Sequence, residues 1–109
     1  MTIELPKAIA SYFDADKNGD TDGVAKCFVE TAFVKDEGKT HLGRDEIRHW
    51  KTSSSKEYEY TVAPFKIATE GNRTVVTSHL AGNFPGSPVD LRYFFVLDGD
   101  LIQELEIKP

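Results

Sequence analysis

The chain has 109 residues, of which 39% are hydrophobic and 28% charged, the balance of one ordinary globular domain over residues 1–109. Eighteen acidic residues against 13 basic give a net charge of −5, and the lack of any basic tract excludes a nucleic-acid footprint. No apolar run approaches the ~20 residues of a membrane span, and Cys27 stands alone, so no internal disulfide forms.

Leu5, Ala8, Ile9, Tyr12 and Phe13 recur at helical spacing and predict an amphipathic first helix, with Pro6 tolerated in its first turn. The pattern stops at the turn-rich Asp14-Ala15-Asp16-Lys17-Asn18-Gly19. Asp20 or Thr21 then caps a second helix that carries Val24, Phe28 and Cys27, the last as a small buried hydrophobe. Thr31 to Asp36 reads as a strand, Glu37-Gly38-Lys39 as a turn, and Thr40 to Leu42 as a short return. A third helix starts at Gly43, turns Ile47, Trp50 and Lys51 inward, and frays over Thr52 to Ser55.

From Glu57 the apolar period changes to that of a strand, with Tyr58, Tyr60 and Val62 on one side. Pro64 predicts a bulge or an edge position. Gly71-Asn72 is a hairpin turn before a strand from Arg73 to Ala81, and Phe84 to Pro88 is a loop. Val89 to Leu97 is a strand with apolar residues on both faces, and Asp98-Gly99 leads to a last strand from Leu101 to Ile107. Segregated helices and hairpin-linked strands predict an α+β fold. One face of the strand from Val89 meets the helices; a second copy of the chain is the simplest cover for the other, so a homodimer through the outer sheet face is expected. The start, Met1-Thr2-Ile3-Glu4-Leu5-Pro6, lacks the basic and apolar segments of a signal peptide, and a cytoplasmic protein without membrane contact is expected.

This order of elements resembles the nuclear transport factor 2-like superfamily, and within it the SnoaL-like group with its polyketide cyclases. The carriers are the Gly-Asp…Cys-Phe second helix, the Ala32 to Gly38 strand, Gly43-Arg44-x-x-Ile47-x-x-Trp50, and the closing hairpin at Asp98-Gly99 with Ile102. The resemblance implies a cone-shaped barrel, a curved and mostly antiparallel sheet wrapped around a long N-terminal helix, with an apolar pocket inside. Ketosteroid isomerase shares this superfamily. Its base is an aspartate at the end of the first strand, matched by Asp36, and its tyrosine donor lies on the first helix, matched by Tyr12. Where its second donor, a neutral aspartic acid, sits on the penultimate strand, this chain carries Tyr93, a departure that counts against steroid isomerisation itself. A phenol, with an ordinary pKa near 10, stays protonated at neutral pH and still donates.

The implied function is a pocket enzyme for a small apolar carbonyl compound, working by general acid–base proton transfer of the isomerase, cyclase or dehydratase type. Asp36 is the candidate base, Tyr12 and Tyr93 the donors, and His79 a secondary polar group. Trp50, Tyr60, Phe95, Leu105, Phe13 and His41 are the candidate substrate contacts. The plainer alternatives are a strand-end acid facing solvent, tyrosines that only pack, and a non-catalytic ligand-binding or dimerising module of the same fold. No cofactor is implied. His41, His49 and His79 lack zinc-ligand spacing. Asp14 to Asp22 mimics the opening of a calcium loop, but Ala25 stands where the bidentate glutamate belongs, so no metal is expected.

Overall fold

The first helix, α1 (Lys7–Lys17), runs a full turn past its predicted end in the computed structural model, which describes residues 3–109 except the side chains of residues 55–57. Asp14 to Lys17 are helical because Asp16 finds a buried partner in Lys51, which outweighs aspartate's modest helix propensity. The calcium-like segment is therefore half helix. Asn18 and Gly19 make the turn, with Gly19 at φ +68°. Asp20 caps α2 (Thr21–Lys26) as expected, its carboxylate accepting from the Gly23 N–H at 2.9 Å. This helix is shorter than its pattern suggests. Cys27 ends it, and Phe28, expected on the helix, opens the strand β1 (Phe28–Asp36).

The remaining elements are β2 (Lys39–Leu42), α3 (Gly43–Glu57), β3 (Tyr60–Glu70), β4 (Arg73–Gly82), β5 (Val89–Asp98) and β6 (Leu101–Lys108). Among the described residues the strands form one six-stranded sheet in the order β2-β1-β6-β5-β4-β3. Every pairing is antiparallel except β1 with β6. Register shifts at Pro64–Lys66 and Val96–Leu97 bend the sheet, the first where Pro64 predicted it. The fold is α+β, a mixed sheet curved around its helices.

Along each inner strand face the packing changes from closed to open. Phe95 and Leu105 are fully buried, whereas Leu91 and Tyr93 on β5 and Ile107 on β6 line a cavity. The closed end is filled by rings. Tyr12 meets Phe13, Phe28, Tyr93 and Phe95 edge-on, with centroids 5.1 to 6.4 Å apart. On the outer face Val75 and Phe94 lie opposite each other and are buried. Arg73, Arg92 and Lys108 arch over the Phe94 ring at 5.3 to 5.9 Å, so the second apolar face of β5 is partly covered within its own chain. Among the described residues no helix is long and apolar enough to cross a membrane.

Candidate functional site

Asp36 ends β1, and a two-residue turn with Glu37 at φ +53° and Gly38 at φ +76° pairs it with Lys39 across the hairpin. Two positive φ values in succession give the tight turn that matches strand twist, so the position of the carboxylate is set by backbone. Its side chain is held as well. The Trp50 indole N–H donates to Asp36 Oδ2 at 3.0 Å, and His41 stacks on Trp50 with centroids 5.9 Å apart. Asp36 is half-buried at one side of a cavity of about 650 Å³. A second cavity of about 540 Å³, toward Pro109, shares Asp36, Glu37, Lys39, Leu91 and Ile107 with the first.

The cavity that Asp36 borders is also lined by phenols. Tyr93 and Tyr60 both line the larger cavity. Burial raises the Tyr93 pKa well above the ordinary phenol range, and the charges of Asp16 and Asp36 raise it further. Burial also raises Tyr60, but the Lys51 ammonium opposes that shift by charge and by a side-chain hydrogen bond. Both hydroxyls therefore remain protonated donors at neutral pH. Lys51 lines the same cavity and is paired with Asp16, Nζ to Oδ1 3.0 Å.

The predicted site residues divide into three groups. Asp36, Tyr93, Trp50, Tyr60 and His41 come together around the cavity, joined at its rim by the exposed His49. Tyr12, Phe13, Phe95 and Leu105 lie instead in the packed core behind it. Tyr12 Oη is buried with no hydrogen-bond partner among the described residues, so the donor position expected from the resemblance is displaced from the open space. His79 needs a correction. Its neighbours Ser78 and Leu80 turn inward, and His79 is exposed on the opposite face, where Nδ1 lies 2.8 Å from Asp90 Oδ1. Strand alternation sends it outward.

Lys51, which lines the cavity, and its ion-pair partner Asp16 were left without a role by the sequence reading. The available signal was position. Lys51 follows Ile47 by four residues on an apolar helix face, and Asp16 follows Tyr12 by four on another. Two opposite charges on two facing apolar stripes are best satisfied by each other.

Known proteins share this arrangement of elements. The SnoaL-like domain model matches residues 9–102. A crystal structure of a Sinorhizobium meliloti protein, provisionally assigned as a polyketide cyclase, is 38% identical, covers 95% of each chain and superposes with a TM-score of 0.90. A hypothetical protein from Catenulispora acidiphila with a ketosteroid isomerase-like fold, solved with trimethylamine, is 18% identical over 97% of this chain and 87% of that one, with a TM-score of 0.85. Another provisionally assigned polyketide cyclase, from Silicibacter, is 22% identical over 98% and 91% of the chains, with a TM-score of 0.81. These last two likenesses establish the fold alone. No curated protein matches the sequence. The domain match over most of the length and the 38% identity over nearly all of both chains establish that the chain belongs to the SnoaL-like family, on the nuclear transport factor 2-like fold.

Proposed function

We propose that the cavity is an enzyme site for a small apolar carbonyl compound. Asp36 removes a proton from the carbon beside the carbonyl. The C–H electron pair moves to the carbonyl oxygen, which becomes an enolate held by the Tyr93 and Tyr60 hydroxyls. Return of the proton to another carbon gives isomerisation, and attack of the enolate on a second carbonyl gives cyclisation. The observation that carries this reading is the placement of a carboxylate, clamped by Trp50 at 3.0 Å, on a cavity lined by two phenols kept protonated by burial. The related Sinorhizobium protein, provisionally assigned as a polyketide cyclase, supports the same chemistry. Tyr12 and His79 have no part in it, because neither lines the cavity.

The test is hydrogen–deuterium exchange at the carbon beside the carbonyl of small cyclic ketones and 1,3-diketones, followed by proton NMR in deuterated water. Asp36→Asn is expected to lower protein-dependent exchange by about 10²–10⁴-fold, and Tyr93→Phe by about 10²-fold or more, with both variants folded. Exchange unchanged in Asp36→Asn removes the base. Ligand binding with no exchange in the unaltered protein leaves a binding module of the same fold.

A further inference from the structure

β1 and β6 run side by side as far as the pair Lys35 and Glu106. Beyond it β1 turns away into its hairpin, where Asp36 pairs with Lys39, while β6 stays with β5 through Lys108 and Arg92. The two strands part, and the second cavity, about 540 Å³, fills the notch between them. Residues 35–40 line one side of the notch and residues 106–109 the other. Asp36, Leu91 and Ile107 border the main cavity as well, so the carboxylate stands at the junction of two open volumes and not at the bottom of one. Such a place suits a ligand that extends to both sides of its reacting carbon.

The two volumes differ in chemistry. Trp50, Tyr60 and Tyr93 give the main cavity its rings. The notch carries Lys35, Lys39 and Lys108. Among the described residues neither Lys35 nor Lys39 forms an ion pair. Its acceptors are mostly engaged. Trp50 holds Asp36, Arg73 and Lys108 hold Glu106 at 3.5 and 3.8 Å, and Arg92 donates to the Pro109 oxygen at 3.3 Å. Glu37, exposed on the turn, is the opposing charge that remains. Two unpaired ammoniums against one unpaired carboxylate leave the notch in want of an anion.

We propose that the notch is a tail site and that the ligand is a keto acid. Its apolar carbonyl head lies in the main cavity, and a chain of a few carbons passes Asp36 and ends in a carboxylate met by Lys35 and Lys39. The proposal rests on the reading of the main cavity as a carbonyl site and adds the length and charge of what it takes.

The probes are δ-benzoylvaleric acid and valerophenone, which share head and chain and differ in the terminal carboxylate; calorimetry gives the affinity of each. The unaltered protein is expected to bind the acid about fivefold or more tightly than the ketone. Thr40 lines the notch and not the main cavity, so Thr40→Trp fills the tail site with an indole. Thr40→Trp and the double variant Lys35→Gln/Lys39→Gln are each expected to bring the ratio of the two affinities close to one, with thermal melts verifying that both fold. A ratio near one in the unaltered protein, or a ratio that either folded variant leaves in place, would overturn the tail site. Hydrogen–deuterium exchange beside the valerophenone carbonyl reports on the base separately. Exchange without preference for the acid removes the tail site and leaves Asp36 as base; preference without exchange removes the base and leaves the tail site.

Discussion

A lysine at position 51 is tolerable in the interior only because Asp16 meets it at 3.0 Å. Lys51→Met is expected to destabilise the fold by about 3–5 kcal/mol, because it leaves the Asp16 carboxylate buried without a partner, and Asp16→Asn added to it should recover most of that loss. Urea unfolding of the two variants measures the difference. Tyr12 is the opposite case. Its hydroxyl is buried without a partner, so Tyr12→Phe is expected to hold or raise stability, by about 1 kcal/mol, and to leave any exchange activity intact. A loss of activity without a loss of stability would return Tyr12 to the catalytic set. Burial, with the Asp16 charge adding to it, also raises the Tyr12 pKa well above the ordinary phenol value. As pH climbs through about 10, the unfolded chain gives up this proton before the folded one does. The native state then binds more protons, and stability falls with rising pH. Tyr12→Phe should make the alkaline loss shallower.

At the scale of elements, the cavity depends on close approach between β3 and β4. A Cβ at Gly82 would collide with the Glu59 carbonyl oxygen and the Tyr60 Cα. These are backbone atoms beside a cavity phenol and cannot swing aside. Gly82→Ala is expected to cost about 1–3 kcal/mol of stability, which thermal melts would reveal, and by moving Tyr60 to lower the hydrogen–deuterium exchange activity. The ends of elements were also where local pattern misled. Phe28 continues the helical spacing of Val24, but β1 captures it because Ile102 on β6 is its pairing partner. Asp14 to Lys17 look like a connection by composition and become helix because Asp16 has a partner on α3. In both cases the deciding contact is distant in sequence, where periodicity carries no signal.

For the whole molecule, the curved sheet separates a ring-filled end from an open one, and the site lies at the open end. The outer face of the sheet carries Val75 and Phe94 beneath three cations, beside the exposed small residues Ala63 and Ala68 on β3. A homodimer meeting on this face is the expected assembly, and light scattering is expected to give twice the 12.2 kDa chain mass. Phe94→Glu should then return the single-chain mass; a single-chain mass in the unaltered protein would overturn the expected dimer.

The amino-acid sequence by itself determined the α+β class, the order of helices and strands, the bulge at Pro64, the Asp20 cap and the placement of Asp36 at a strand end. Each of these is written in local spacing or in the chemistry of one residue. Only the tertiary structure decided which phenols face the open space, that His79 turns away, and that Lys51 and Asp16 meet. Those depend on how rings from α1, β1 and β5 divide a closed volume among themselves, and a volume shared by distant segments leaves no trace in local periodicity.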